Sequence, residues 1–430
     1  MGVTCRLEID MLSPILFILY IADLGHLLEN HPGGIQLQGV NIAGLLYVDD
    51  LILIGKTPEE VENLLSQVQK LLESLGMSIN CSKSNIISCK DAKLKVGVPL
   101  LSTNDERLGY ISRAPKYKYL GVQVTTDSAT GVFKEATKMC KTKLKSQAGI
   151  ILGMTKHDFD PVLNGLNLWT HMAVSAALYG SEIIKFSQDD IKELDNIQAT
   201  FLAHLLGQRS SVSHAALRKE TGIQTIQQIV TKMKLNYWHH LTTNPHNTWL
   251  SAAYRECFPT INKENNKAGW NSSYAKEIKQ NMTNIGLSES KIPEKKSQFK
   301  KLLKRLTDKY YDNLSAKAIE EQRDHSLRAY PEFIPSSKPQ SYLSGVKDRK
   351  ILTKFRLGDA GLGNRSNAPI KLCPMCKTGE NTEPHLVFEC PEVQNIRDKM
   401  GPSFNLPKYL RGGFVLNVDC RFGPNFCCRL

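Results

Sequence analysis

The run LLYVDDLILIG, Leu45 to Gly55, sets two adjacent carboxylates, Asp49 and Asp50, inside an apolar stretch, and no other feature of the chain narrows its folding choices as far. Paired acids usually occupy solvated turns beside Gly, Asn or Pro. Here they are bracketed by Leu45, Leu46, Tyr47 and Val48 on one side and Leu51 to Ile54 on the other. Runs of β-branched and aromatic residues of this length read as strands. The stretch from Gly34 to Leu46 continues in the same style, so the expectation is a hairpin with both acids at its tip. Carboxylates enclosed by apolar residues need a partner, because an unpaired buried charge costs several kcal/mol or neutralises. The next base downstream, Lys56, lies beyond four apolar residues, which leaves a divalent cation or an ordinary acidic turn as the two readings.

The segment after the hairpin is a helix by every local signal. Thr57 is placed to cap, Pro58 sits at the first helical position and Glu60 completes a capping box. Val61, Leu64, Leu65, Val68, Leu71, Leu72 and Leu75 share one face, and Gly76 is placed to stop the helix. That face is expected to pack on the sheet holding Asp49 and Asp50. Strands are expected at MSIN (Met77–Asn80) and at YKYLGVQVTT (Tyr117–Thr126), closing a compact α+β unit near Asp127. From Gly131 to His240 helical periodicity takes over. The clearest case starts at Ser187 and stops at Gly207, with Ile191, Leu194, Ile197, Phe201, Leu202 and Leu205 as its buried stripe. Residues 262–344 are more polar, and Lys291 to Lys309 holds eight basic residues against two acidic ones. Phe299, Leu302, Leu303 and Leu306 give that segment an apolar face, so it reads as a basic amphipathic helix.

Charge points to the class of partner. The 430 residues carry 55 basic and 42 acidic side chains, a net +13, which favours a polyanion, nucleic acid ahead of an anionic membrane surface. MLSPILFILYIADL is too short, and too interrupted by Pro14 and Asp23, to span a bilayer, and it lacks the basic flank and cleavage site of a secretory signal. Most of the eleven cysteines are scattered singly, as expected of an intracellular chain, nuclear or cytoplasmic rather than secreted. One group is compact: Cys373, Cys376, His385 and Cys390 in the spacing C-x2-C-x8-H-x4-C. Three sulfurs and one imidazole suit tetrahedral zinc, and a closed site of that composition is structural. Cys420, Cys427 and Cys428 have no comparable spacing.

Taken together, YVDD, the helix after it, GMSINCSKSN and KYLGV stand in the order found in the palm of a reverse transcriptase, and the chain resembles the non-LTR (LINE-like) retrotransposon class. DMLSPILFILYIADL is similar to motif B, Tyr47 to Asp50 to the Tyr-x-Asp-Asp of motif C, and Gly76, Asn80, Lys83 and Ser84 to motif D. Tyr119, Leu120 and Gly121 are similar to the primer grip, and ALYGSEI with LDNIQATFLAHLLG to the thumb. The family carries a similar cysteine-histidine motif after its thumb, followed by a basic residue, here Arg397. The resemblance implies a partial palm (antiparallel sheet with packed helices, motifs B to E) over 1–127, a helical thumb over 128–260 and a basic helical connector over 261–350. A zinc-knuckle region over 351–400 and a tail over 401–430 complete the expected order. It implies magnesium at Asp49 and Asp50, with Asp49 the more direct ligand, and zinc at the knuckle. Its partners would be an RNA template, a DNA target or primer, and deoxynucleotides. Nucleic acid would be met by Tyr47, by the primer grip, and by Lys295, Lys296, Lys300, Lys301, Lys304 and Arg305. Lys83 is either a catalytic residue that shields or protonates the pyrophosphate or a solvated lysine beside Ser82 and Ser84.

Two departures bear on activity. The family's metal site takes a further aspartate from motif A, upstream of motif B, and neither Asp10, aligned with motif B, nor Asp23, on the helix after it, stands in for it. Glu8 and Ile9 stand where motif B has Gln and Gly, and that glycine normally lets the backbone approach the incoming nucleotide. The expectation is a truncated copy of a larger polyprotein, inactive by itself. The rival is a non-catalytic nucleic-acid-binding zinc-knuckle protein in which the palm is only scaffold.

Overall fold

The computed structural model describes residues 13–88, 97–104, 106–125, 133–243, 248–258, 273–322, 327, 330, 338–344, 349–359, 372–382 and 385–400. Two compact units divide the chain, one of residues 1–136 with 237–280 and one of residues 137–236 with 281–430.

The first unit is α+β. Helices α1 (Ser13–Tyr20) and α2 (Ala22–Asn30) lead into a hairpin of β1 (Ile35–Leu37) and β2 (Val40–Ile42), and then into a second of β3 (Gly44–Tyr47) and β4 (Asp50–Leu53). The seventeen residues of α3 (Pro58–Ser74) follow. Leu64 and Val68 of α3 pack with Leu24, Leu28 and Ala43, and Leu46, Leu51 and Leu53 close on the same cluster, so the helix does cover the sheet that carries the paired acids. Thr57 caps α3 by accepting from the Glu60 N–H, but the Glu60 carboxylate takes the N–H of Lys56 rather than that of Thr57, so the expected box closes one residue early. At the other end Gly76 adopts φ +68, its N–H reaching the Glu73 carbonyl and the Met77 N–H that of Leu72, a Schellman stop.

Downstream the strands differ from expectation. Met77–Asn80 forms no strand, because the Met77 N–H is spent on the helix end and Asn80 builds a turn. Strand β5 (Asn85–Ile86) pairs parallel with β7 (Arg107–Arg113), which pairs antiparallel with β6 (Gly97–Leu101); neither β6 nor β7 is visible in the sequence pattern. The expected strand at YKYLGVQVTT is a hairpin of β8 (Lys116–Tyr119) and β9 (Val122–Thr125), with Leu120 and Gly121 at positive φ in the two-residue turn. That geometry matches the right-handed twist of the flanking strands.

Helices then take over: α4 (Lys134–Thr155), α5 (Pro161–Leu168), a π turn at Trp169–Ala173, α6 (Val174–Ala177), α7 (Gln188–Leu205), α8 (His214–Thr221) and α9 (Ile226–Thr243). Ser187 and Asp190 form a complete capping box on α7, and its six expected stripe residues are all buried. Trp169 stacks on Phe201 with ring centroids 4.1 Å apart. The chain returns to the first unit in α10 (Thr248–Cys257), which packs on β1 and β2; α11 (Ser273–Ile285), α12 (Lys296–Glu320), α13 (Arg349–Arg356) and α14 (Gln394–Met400) complete the order. Within the second unit α12 lies on α8, and the buried Arg356 guanidinium donates to the Glu220 carboxylate, which also accepts from the Tyr342 hydroxyl. No helix among the described residues is long and apolar enough to cross a membrane.

Candidate catalytic hairpin and metal centre

Asp49 and Asp50 stand at the tip of the β3–β4 hairpin. Tyr47 pairs with Asp50, which leaves Val48 and Asp49 as a two-residue loop. Val48 takes φ +54, a conformation that a β-branched residue rarely adopts. Tyr47, Val48, Asp49 and Asp50 are all exposed. This corrects the expectation that the acids are enclosed: their apolar neighbours turn inward along the strands while the tip projects into solvent. Water can satisfy both carboxylates, so burial does not require an ion there.

The other residues expected in a palm, from Gly76 to Gly121, fall on the same unit. Asn80 organises the turn around Lys83, its side-chain oxygen accepting from the Ser82 hydroxyl (2.7 Å) and the Lys83 N–H (3.2 Å), and its carbonyl from the Ser84 hydroxyl (2.9 Å). Lys83 is exposed, and no ion pair or hydrogen bond joins it to Asp49 or Asp50. Tyr119 ends β8 beside the Leu120–Gly121 turn. Burial, and then the Asp50 carboxylate, push its phenol up. Glu8, Ile9 and Asp10 lie outside the described residues.

On the second unit α12 buries Phe299, Leu303, Thr307 and Tyr311, with Leu302 and Leu306 half-buried. Asp308 accepts from Gln228 (2.8 Å) and Lys232 (2.9 Å), and Asp312 from Lys219 (3.0 Å), so the acids of α12 are engaged on its packed side. Lys296, Lys300, Lys301, Lys304 and Arg305 are exposed, as is Lys295 at the N-cap position.

The C-terminal cluster is the tightest constellation. The ligand atoms of Cys373, Cys376, His385 and Cys390 all lie within 4.8 Å of one another, an arrangement able to hold a metal ion. A knuckle sets the first pair, with the Cys373 N–H donating to the Gly379 carbonyl (2.7 Å) and the Lys377 N–H to the Cys373 carbonyl (2.9 Å). Cys376 Sγ lies 3.3 Å from His385 Nε2, and Cys373 Sγ 3.9 Å from Cys390 Sγ. The Thr378 hydroxyl and the N–H groups of Gly379 and Thr378 pull the Cys376 thiol down to about 5, which favours the thiolate that binds metal, whereas burial pushes the Cys390 thiol up. Leu386 and Val393 pack against Cys373 and Cys390; the side chains of Val387 and Phe388, and the whole segment with Cys420, Cys427 and Cys428, lie outside the described residues.

Three residues support the cluster, of which Glu389 and Gly379 were not evident from spacing. Glu389 Oε2 lies 3.5 Å from His385 Nδ1, so the ring nitrogen away from the sulfurs has a carboxylate to donate to. The only sequence sign is the i, i+4 relation. Gly379 lies under the imidazole, where an added Cβ would fall 2.0 Å from the ring. Arg397 donates to the Cys390 carbonyl (2.7 Å), which gives the basic residue after the knuckle a fixed partner.

Residues 10–124 match the family model described as reverse transcriptase (RNA-dependent DNA polymerase). Over that segment the chain is similar to reverse transcriptases, and relatives from retrotransposable elements agree with the match. The chain is 27% identical over 129 residues to a retrovirus-related Pol polyprotein from the type-1 retrotransposable element R2 of Popillia japonica, covering 29% of this chain and 21% of that one. It is 32% identical over 120 residues to the R2 polyprotein of Nasonia vitripennis, covering 26% and 11%. An uncharacterised transposon-derived protein of Caenorhabditis elegans is 22% identical over 200 residues, 45% of this chain and 61% of that one. The chain thus spans about a fifth and a tenth of the two R2 polyproteins. The reverse-transcriptase match takes in the acidic tip, the Asn80 turn and the β8–β9 hairpin as far as residue 124, and the Cys/His cluster lies beyond it.

Proposed function

We propose that this chain is part of an enzyme that copies RNA into DNA from a DNA primer, with Asp49 and Asp50 as magnesium ligands and the Cys3His cluster as a structural zinc knuckle. The observation that carries the reading is the acidic hairpin: two adjacent carboxylates at an exposed two-residue tip, inside the segment that matches reverse transcriptase. Hard oxygen donors suit magnesium, and the cluster of three sulfurs and an imidazole suits tetrahedral zinc. Bound magnesium would activate the primer 3′-hydroxyl and neutralise the leaving pyrophosphate. The chain's own residues hold the carboxylates in one aim through the tight turn. Lys83 would face the pyrophosphate. On the second unit, six cations sit at the N-terminal end of α12, where the helix dipole is already positive. Such a surface favours a polyanion, which supports template and primer as the partners of Lys295, Lys296, Lys300, Lys301, Lys304 and Arg305. The match over the palm favours this reading over the rival in which the palm is scaffold alone.

Primer extension on an RNA template with Mg2+ tests it. Two carboxylates leave two ions under-coordinated, so these 430 residues alone are expected to give no product above background. In a longer product that supplies a further carboxylate and extends the primer, Asp49→Ala removes nearly all activity. Extension that survives Asp49→Ala would remove the hairpin from the chemistry.

A further inference from the structure

The three-stranded sheet β5–β7–β6 has one face in the core and one in solvent. Val98, Leu100 and Ile111 are buried with Leu65 of α3. On the pairing of β6 with β7, Leu100 opposes Gly109 and Leu101 opposes Arg107, so Leu108 is an extra residue, a β-bulge. The bulge resets the alternation and brings Arg107 to the outer face with Tyr110, where its guanidinium carbon lies 5.5 Å from the ring centroid. Tyr110 lies across Gly97, where an added Cβ would fall 2.6 Å from the ring, so the missing side chain leaves the space that the ring occupies against the sheet. Around it Leu101 (41% exposed), Leu108 (49%) and Tyr110 itself (36%) leave apolar surface in water. From Arg107 to Thr126 the sequence holds four basic residues, Arg107, Arg113, Lys116 and Lys118, and no acidic one; all four are exposed.

We propose that this outer face is a stacking platform for an unpaired nucleotide of a bound single strand, with Tyr110 and Arg107 as the stacking pair and the neighbouring cations as its phosphate contacts. A flat ring backed by the sheet and topped by a guanidinium offers π surface to any base, and stacking on such surfaces is tolerant of sequence. Charge selects the occupant: a protein segment would need acidic side chains to match the four cations, whereas a nucleic-acid strand brings phosphates and apolar base faces together. The proposal rests on the nucleic-acid reading above and adds a site distinct from the acidic tip and from α12.

The test is equilibrium binding of the full chain to oligothymidine and, in parallel, to a blunt RNA–DNA duplex, with photocrosslinking of an iodouracil-substituted strand. Tyr110→Ala is expected to weaken oligothymidine binding by about 5- to 100-fold. Tyr110→Phe should stay close to wild type, Arg107→Gln should fall between them, and duplex affinity should be unchanged in all three. The crosslink should map to the peptide containing Tyr110. If wild type binds the strand but Tyr110→Ala and Arg107→Gln bind equally well, or if the crosslink maps elsewhere, the platform is wrong while the nucleic-acid reading stands. If wild type binds neither probe, both fail together.

Discussion

Gly379 is where a single side chain decides the metal centre. Its missing Cβ leaves the space that the His385 imidazole fills, and Glu389 faces the nitrogen on the far side of that ring. Gly379→Ala should push the ring off its line to Cys376, and Glu389→Gln should weaken its orientation, each lowering zinc affinity by roughly 10- to 100-fold, the usual scale for groups that orient a ligand. Chelator competition on the full chain measures this, and unchanged affinity in Gly379→Ala would show that the ring is not held where it lies. That Cys373, Cys376, His385 and Cys390 come together was legible because their spacing is local and chemically distinctive. Gly379 and Glu389 were not, since a glycine under a ring and an acid one turn away look like ordinary loop residues until the chain is folded. The reverse holds at Asp49 and Asp50: their pairing was legible, but their exposure was not, because apolar neighbours in sequence lie along the strands and not around the tip.

Among the elements, helices were read better than strands because their ends are written in a few residues. Thr57 with Pro58, and Ser187 with Gly207, mark ends that the structure bears out. The β6–β7 pair escaped because Pro99 and the bulge at Leu108 break the two-residue alternation, and β5 is too short to carry a pattern. The start of α7 also carries a pH dependence. Burial raises the Asp190 carboxyl, but hydrogen bonds from Lys141 and Ser187 outweigh it and hold the group below its usual range; Lys141 and Lys145 do the same for Glu193. A depressed carboxyl stabilises the fold above its unfolded value, near pH 4, and that contribution is lost as pH falls through the lower folded value. Asp190→Asn should therefore lower the melting temperature at neutral pH and flatten its decline between about pH 4 and pH 2. Thermal unfolding across that range checks it, and parallel curves for variant and wild type would rule the pair out as a source of acid sensitivity.

Across the whole molecule the excess of +13 is concentrated where α12 begins, and the two acids nearest that end, Asp308 and Asp312, are already engaged by Gln228, Lys232 and Lys219. Nucleic-acid affinity should survive loss of Asp49 and Asp50 but fall with salt, and the slope of log affinity against log salt should flatten when Lys295, Lys296, Lys300, Lys301, Lys304 and Arg305 are all changed to Gln. A salt series on both proteins decides it; identical slopes would make these six an ordinary solvated face. Net charge suggests a polyanionic partner from composition alone, but the presentation of the cations depends on which side of α12 packs, and that needed the fold. The return of residues 237–280 to the first unit was not legible either, since it depends on α10 meeting β1 and β2 across some two hundred positions, with Gln38 donating to the Glu256 carboxylate at 2.8 Å. This discontinuity sets an order of events during synthesis. The surface of β1 and β2 that α10 covers stays open while the ribosome makes some two hundred residues, of which 137–236 belong to the other unit. The first unit therefore waits for residues 237–280 before it can close, and a nascent chain arrested before residue 248 would leave the acidic tip on a body whose β1–β2 surface still lacks its covering helix.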